Sequence, residues 1–172
     1  MTKRMSLRER LSDGRVLPTP GVVDALQARL VENMGFEAIF LSGSGVSLTS
    51  LGQPDVGLVN QVEMADRVAA ITDVIELPLI VDGDNGHGNA INVIRTVRSF
   101  ERAGASAIML EDQVFPKRCG HLAGTRVVPV EEMVGKLHAA VDCRRSEEFL
   151  IIGRTDARGV EGLNAAIDRA HR

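Results

Sequence analysis

Short apolar runs alternate with amphipathic helical segments along the chain, and this alternation most restricts the folds it can adopt. The predicted strands are residues 16–17, 38–41, 79–82, 107–110 and 149–152. The predicted helices are residues 22–34, 61–75, 90–102, 130–142 and 162–171. Strands that are apolar on both faces and separated by helices are typical of a parallel sheet with helices packed outside it. The pattern therefore predicts an α/β fold.

Two α/β architectures fit this pattern, an open doubly wound sheet and a closed (β/α)8 barrel. The sequence has 172 residues, which would complete an open sheet of five strands. A (β/α)8 barrel typically needs about 250 residues, so length alone favours the open sheet. In either case the length is that of one domain, and we expect residues 1–172 to form a single one.

Composition and charge exclude several functional classes. The net charge of −3 argues against nucleic acid as the main partner, and the absence of Trp and Tyr leaves no platform for stacking bases. No apolar run is long enough to span a membrane, and the basic N-terminus lacks the apolar core of a signal peptide. Cys119 and Cys143 do not suggest a disulfide scaffold, so we expect a soluble cytoplasmic protein with no membrane partner.

Acidic residues follow the third and fourth predicted strands. Asp82 and Asp84 are two residues apart, so extended backbone would point both carboxylates the same way, and Glu111 ends the next strand. The carboxyl ends of parallel strands lie on one rim, where barrel active sites form. Three carboxylates on that rim suit Mg²⁺, which keeps several water ligands in proteins. Asp55 could reach one of these metal-bound waters. A glycine-rich turn capped by Asp, with Asp55 shaping a second turn, is the alternative.

Two further motifs follow strands two and five. The small residues of Ser42-Gly43-Ser44-Gly45 would let backbone N–H groups cradle an anion, although no capped helix start is evident after them. A plain flexible loop is the alternative. Arg154 ends the fifth strand and is suited to bidentate binding of a carboxylate, but an ion pair with a neighbouring Asp fits the sequence equally well.

The segment Lys117-Arg118-Cys119-Gly120-His121, called the cysteine loop below, places a thiol among basic side chains. Nearby positive charge lowers the pKa of a thiol, and the thiolate is its reactive form. Such a loop could move a proton or attack a substrate. An exposed basic loop with an incidental cysteine is the alternative.

Taken together, these motifs resemble the isocitrate lyase and phosphoenolpyruvate mutase superfamily, most closely its methylisocitrate lyase and dimethylmalate lyase branch. The resemblance is carried by residues 41–45, 51–55, 82–84, 111–113, 117–121 and 154–157. It implies a (β/α)8 fold of the TIM-barrel type, of which this chain would hold about the first five βα units. The last three units and the terminal helix that the family swaps between subunits have no counterpart here, so we expect a truncated chain.

The resemblance also implies a Mg²⁺-dependent carbon–carbon lyase. Its substrate would be a 2-hydroxy polycarboxylate, such as methylisocitrate or a dimethylmalate-like acid, which is cleaved to a 2-oxo acid and a second carboxylic acid. Cys119 would be the general acid on a mobile loop, with Lys117, Arg118 and His121 positioning that loop and tuning the thiol. The implied metal site is Asp82, Asp84, Glu111 and Asp55, and the implied substrate contacts are Ser42, Gly43, Ser44 and Arg154. A homotetramer is implied for the full-length protein.

The chain departs from the family pattern at three further positions. Phe40 stands where Tyr is common, and Asn85 and His87 replace the usual Thr and aromatic residue. Two alternative functions therefore stay open. One is a carboxyphosphonate-type phosphonomutase on the same scaffold, although mutases generally lack the cysteine loop. The other is a catalytically silent fragment.

Overall fold

The structure is a computed structural model that describes residues 6–12, 14–120 and 124–172. Its strands are β1 (Gly21–Val22), β2 (Ile39–Leu41), β3 (Leu79–Asp82), β4 (Ala107–Glu111) and β5 (Leu150–Arg154). Its helices are α1 (Leu7–Leu11), α2 (Ala25–Asn33), α3 (Gly43–Leu51), α4 (Gln61–Thr72), α5 (Ala90–Arg102), α6 (Val130–Cys143), α7 (Ala157–Val160) and α8 (Leu163–Ala170).

Strand order decides between the two predicted architectures. The five strands pair in parallel in the order β1-β2-β3-β4-β5, so every strand lies beside the next one in the chain. A doubly wound sheet reverses its order at a switch point, and this sheet does not. Right-handed crossovers then place the connecting helices on one side of the sheet. The fold is therefore of the TIM-barrel type, with five consecutive strands of such a sheet.

Alternation along the strands separates a helix-facing side from an inner side. Ile39, Leu41, Leu79 and Val81 are fully buried in the main core, which also contains apolar side chains of the helices, such as Phe100. The intervening residues form a second, smaller cluster. Its members are Leu7 from α1, Ala38 and Ala107, with Leu17, Ile80, Leu150 and Ile152 packed against them. Residues two apart share a face of a strand, so Asp82, Glu111 and Arg154 continue the inner face at its carboxyl end.

The first strand lies later in the chain than the sequence predicted. Residues 16–17 are not a strand, and Val16 is 91% exposed. The strand is instead Gly21–Val22, and the helix predicted from residue 22 begins at Ala25. Asp24 marks that start, because its side chain accepts the Gln27 N–H at 2.8 Å as an N-cap. The run of Pro18, Thr19 and Pro20 leads into the strand and does not follow it.

The other predicted elements are present with small shifts at their ends. The helix predicted over residues 61–75 ends at Thr72, and β5 begins at Leu150 and reaches Arg154. Helix α5 ends as predicted, because Ala103 caps it and Gly104 takes the left-handed conformation with φ +98°. Across the described ranges, no helix combines the length and apolar character that crossing a membrane requires.

Candidate active site

Three charged side chains meet at the carboxyl ends of neighbouring strands. Asp82, Glu111 and Arg154 are the last residues of β3, β4 and β5. Glu111 and Arg154 are direct register partners, and a terminal guanidinium nitrogen of Arg154 lies 3.3 Å from Glu111 Oε2. Parallel pairing therefore brings the side chains of residues 43 positions apart into contact, as the predicted common rim requires.

The backbone turns sharply between the two aspartates. Asp84 has φ +47°, a left-handed conformation, so residues 82–84 are not the extended run that the sequence suggested. The Asp84 N–H instead donates to Asp82 Oδ1 at 3.2 Å. A side chain at Gly83 would place its Cβ 2.6 Å from Ile108 Cγ1, so the turn needs a glycine there. The turn carries Asp84 into the buried part of the site.

The expected flexible loop at Ser42-Gly43-Ser44-Gly45 is the start of helix α3. Ser42 is the N-cap, and its Oγ accepts the Gly45 N–H at 3.1 Å. The Gly43 N–H donates to Asp82 Oδ2 at 3.1 Å, and a Cβ on Gly43 would lie 3.0 Å from that same oxygen. Two glycines in a first turn hide the helix from sequence propensities, because glycine disfavours helix. Ser42 and Gly43 thus hold the local structure, and Ser44 lies in the same first turn, near the positive end of the helix.

Lys117 lies between two aspartates. Its Nζ is 2.5 Å from Asp55 Oδ1 and 2.5 Å from Asp84 Oδ1, and the residue is 3% exposed. Burial lowers the pKa of Lys117, but attraction to Asp84 and hydrogen bonds to Asp55 and Asp84 outweigh it and hold the pKa above its ordinary value. Lys117 is therefore charged and ties the cysteine loop to the rim, and it is buried, whereas the alternative interpretation of the sequence was an exposed basic loop.

Two of the carboxyl groups have pKa values raised toward neutrality. Burial raises the pKa of Glu111 to about 8, against the attraction of Arg154 and Lys117. Burial and the neighbouring Asp82 raise the pKa of Asp84 to about 7, although Lys117 opposes the change. Glu111 Oε1 is buried and has no hydrogen-bond partner among the described residues. A carboxylate oxygen in this state is suited to receive a cation.

The cysteine loop lies against the rim. The Cys119 N–H donates to the Asp55 carbonyl oxygen at 3.0 Å, and Cys119 is half-buried. Arg118 is exposed. Gly120 passes so close to Arg154 that a Cβ there would lie 2.7 Å from one guanidinium nitrogen. The fourth predicted residue of the loop, His121, lies outside the described residues.

Sequence reasoning assigned no role to Asp112, Gln113 and Thr155, which support the site, although it did consider the ion pair of Arg154 with a neighbouring Asp that the structure shows with Asp156. Asp112, 1% exposed, accepts the Thr155 hydroxyl at 2.6 Å and the Asp156 N–H at 2.9 Å. Asp156 accepts three hydrogen bonds from Arg154, and the buried Gln113 donates to it at 2.7 Å. A run of three polar residues, Glu111-Asp112-Gln113, directly after an apolar strand was the available signal, because such residues at a strand end are seldom all solvated.

The predicted metal ligands are near one another but do not form a ready-made cage. Within residues 6–12, 14–120 and 124–172, no group of three or more His, Cys, Asp or Glu side chains converges so as to hold a metal ion alone. Lys117 bridges Asp55 and Asp84, so these two carboxylates already have a cationic partner. The donor set nevertheless fits Mg²⁺, which needs one or two carboxylates and keeps several waters. Asp82 and the unpartnered oxygen of Glu111 are the carboxylates best placed to hold it.

The raised pKa of Glu111 predicts a pH dependence of stability in the metal-free protein. The folded state binds the proton up to about pH 8, whereas the ordinary value is 4.5. The stabilising contribution is therefore complete below pH 4.5 and is lost as the pH rises through 8. Glu111→Gln stays neutral, so its free energy of unfolding should lack that fall. Urea denaturation from pH 5 to 9 tests this, and parallel curves for both proteins would contradict it.

Comparison with protein families gives a match over nearly the whole chain. The family model for phosphoenolpyruvate phosphomutase matches residues 7–172. The chain is 47% identical over 169 residues to a 2,3-dimethylmalate lyase of Eubacterium barkeri, covering 98% of this chain and 58% of that protein. It is 51% identical over 164 residues to a 2-methylisocitrate lyase of Aeropyrum pernix, covering 95% and 52% respectively. The chain thus spans less than two thirds of these relatives.

Solved structures show the same similarity. An oxaloacetate acetylhydrolase bound to the inhibitor 3,3-difluorooxalacetate superposes with a TM-score of 0.92 at 37% identity, over 96% of this chain and 58% of that one. A 2,3-dimethylmalate lyase superposes with a TM-score of 0.91 at 34% identity, covering 96% and 56%. A phosphonopyruvate hydrolase complexed with oxalate and Mg²⁺ gives 0.89 at 35% identity, covering 99% and 59%.

Proposed function

Since the chain belongs to the phosphoenolpyruvate phosphomutase family, we propose that the protein containing it is a Mg²⁺-dependent carbon–carbon lyase. Its substrate is a 2-hydroxy polycarboxylate of the methylisocitrate or dimethylmalate type. The observation that carries the proposal is the placement of the cysteine loop. Lys117 ties it to Asp55 and Asp84, and Cys119 therefore lies at the rim beside the carboxylate cluster and Arg154.

Each residue of the rim has a distinct task in this reaction. Arg154, oriented by Glu111 and Asp156, binds a substrate carboxylate. The N-terminus of α3 around Ser44 attracts the negative charge of the substrate. A carboxylate of the cluster accepts the proton of the substrate 2-hydroxyl, the C2–C3 bond breaks and the 2-oxo acid forms. The electron pair left on C3 takes a proton from the thiol of Cys119, which acts as a general acid.

Magnesium is proposed at the carboxylate cluster. Asp82 and Glu111 would hold it directly, with Asp84 and Asp55 near its waters. When bound it would supply a Lewis acid for the oxygen of the 2-oxo acid portion. Support comes from the buried Glu111 Oε1 without a partner and from the Mg²⁺ complex of the related phosphonopyruvate hydrolase. Lys117 and Arg154 balance part of the negative charge of the cluster.

Asp84→Asn tests the metal site. The substitution removes a carboxylate that faces Lys117 and lies beside Asp82, so we expect Mg²⁺ affinity to fall about tenfold or more and turnover to be lost. Titration calorimetry in buffers of different ionisation enthalpy should also show proton release on Mg²⁺ binding by the wild type near pH 7, because bound carboxylates must be deprotonated. Asp66→Asn, on the exposed surface of α4, is the matched control. Unchanged Mg²⁺ affinity in Asp84→Asn would remove the metal assignment.

A second candidate function is phosphorus–carbon bond chemistry on the same scaffold. It is favoured by the similarity to the phosphonopyruvate hydrolase structure. The cysteine loop is the feature against a mutase, because transfer of phosphorus from carbon to oxygen within one molecule leaves no carbanion for a thiol acid to protonate. Release of phosphate from phosphonopyruvate, in place of carbon–carbon cleavage, would favour this candidate.

We further propose a homotetramer and a cytoplasmic location for the complete protein. The tetramer follows from the family resemblance. The location fits the state of Cys119 and Cys143, which are not joined in a disulfide. Analytical ultracentrifugation of the complete protein tests the assembly, and a monomer at micromolar concentration would contradict it.

A further inference from the structure

The buried side-chain amide of Gln113 connects the cysteine loop to Asp156, the carboxylate that binds Arg154. Gln113 is 1% exposed. Its Nε2 donates to the Arg118 carbonyl at 2.9 Å and to Asp156 Oδ2 at 2.7 Å, and its Oε1 accepts the Arg118 N–H at 2.9 Å. A glutamine amide has two N–H hydrogens, so both are used here. Gln113 therefore binds both the N–H and the carbonyl oxygen of Arg118, the residue that precedes Cys119.

Asp156, the second partner of Gln113, orients Arg154. Its Oδ1 accepts hydrogen bonds from Arg154 Nε at 3.1 Å and from a terminal guanidinium nitrogen at 2.9 Å. Its own N–H donates to Asp112, which fixes the turn after β5. One side chain thus connects the loop that carries the thiol to the carboxylate that aims the guanidinium.

We infer that Gln113 is a positioning residue that holds Cys119 and Arg154 in one mutual arrangement through Arg118 and Asp156. The inference rests on the proposed function, because it assigns the thiol and the guanidinium to one substrate. Gly120 supports it. Its backbone lies so close to Arg154 that a Cβ would be 2.7 Å from the guanidinium, so movement of the loop also changes the surroundings of Arg154. Because Gln113 touches neither group directly, it acts through its two partners.

The loop position can be measured without any lyase activity. Alkylation of Cys119 by iodoacetamide, followed by mass spectrometry of the peptides, reports access to the thiol. Cys143, on α6 and hydrogen-bonded to the Ile94 carbonyl, is an internal standard in the same molecule. Gln113→Met keeps the shape of the side chain but loses its three hydrogen bonds. We expect the ratio of Cys119 to Cys143 alkylation rates to rise about tenfold, and Gln61→Met on α4 to leave it unchanged.

Steady-state kinetics of the complete protein provide the second measurement. Gln113→Met should lower kcat by about 10- to 100-fold, because hydrogen bonds that include a charged partner are the stronger ones. It should also raise KM, because Asp156 loses the hydrogen bond from Gln113 that helps to fix it beside Arg154. Asp156→Asn should mainly raise KM. A purely structural role for Gln113 would lower the amount of folded enzyme and leave both constants of the remainder unchanged.

An exchange of the two side chains keeps the test decisive if Gln113→Met does not fold. Gln113→Glu with Asp156→Asn separates the two sides of the bridge, because the new asparagine amide can donate to the new glutamate, whereas a carboxylate at position 113 cannot donate to the Arg118 carbonyl. The double variant should therefore keep a raised alkylation ratio. An unchanged ratio in folded Gln113→Met, or a wild-type ratio in the double variant, would overturn the inference. A changed ratio in a protein without lyase activity would support the positioning role and refute the proposed function alone.

Discussion

Cys119→Ser should reduce turnover of a 2-hydroxy polycarboxylate by a factor on the order of 10²–10⁴, the usual contribution of a positioned general acid. A serine hydroxyl is a far weaker acid of similar shape, so substrate binding through Arg154 should survive. We expect KM to change little and the melting temperature to stay near that of the wild type, because Cys119 is half-buried on a loop. The measurement is steady-state kinetics of the complete protein with a coupled assay for the 2-oxo acid.

Cys143→Ser is the matched control for this experiment. Cys143 lies at the end of α6, where its thiol donates to the Ala140 carbonyl, and a serine hydroxyl can make the same bond. Turnover should be unchanged in that variant. If Cys119→Ser also turned over at a near-normal rate, the cysteine loop would serve as a cover for the site and not as its acid.

Lys117→Met should have the largest effect on stability. The substitution leaves Asp55 and Asp84 facing each other in a buried site without the ammonium that bridges them. Removing one partner of a buried ion pair costs about 3–5 kcal/mol of unfolding free energy, a large share of what a typical domain has. Since the pKa of Asp84 is already raised to about 7, the loss should be greater at pH 8 than at pH 5, where protonation relieves the repulsion.

Lys136→Met provides the comparison. Lys136 is equally buried, but its Nζ contacts the Asn85 carbonyl at 3.2 Å and the half-exposed Glu132 at 3.6 Å. No second buried carboxylate is left behind, so the loss should be clearly smaller. Urea denaturation of the three proteins at both pH values decides it. Equal losses for the two lysines, or a Lys117→Met loss that does not grow with pH, would contradict the proposed bridge.

The strand and helix pattern of the fold could be predicted from the sequence because burial dominates it. Strands β2 to β5 are apolar on both faces and stand apart from amphipathic helices, so their positions follow from periodicity. Helix α3 could not be predicted in the same way. It begins with two glycines, and its start depends on a hydrogen bond between Gly43 and Asp82, a residue 39 positions away. Propensity carries no information about such a contact.

The candidate site, like the fold, could be predicted only in part from the sequence. The placement of Asp82, Glu111 and Arg154 on one rim followed from strand ends alone. The position of Lys117 between two buried aspartates did not, because a lysine in a loop is ordinarily solvated. The left-handed turn at Asp84 also altered the expected direction of its side chain. Both differences involve contacts between residues far apart in the chain, of Lys117 with Asp55 and Asp84 and of Gly83 with Ile108, which local patterns do not record.

The most direct test of the lyase proposal is product analysis. The complete protein would be incubated with Mg²⁺ and, separately, with methylisocitrate, 2,3-dimethylmalate, oxaloacetate and phosphonopyruvate, and the products identified by mass spectrometry. We predict cleavage of at least one branched 2-hydroxy acid to a 2-oxo acid and a second carboxylic acid, with loss of activity when chelator removes the metal. Release of phosphate from phosphonopyruvate, with both 2-hydroxy acids left intact, would contradict the proposal.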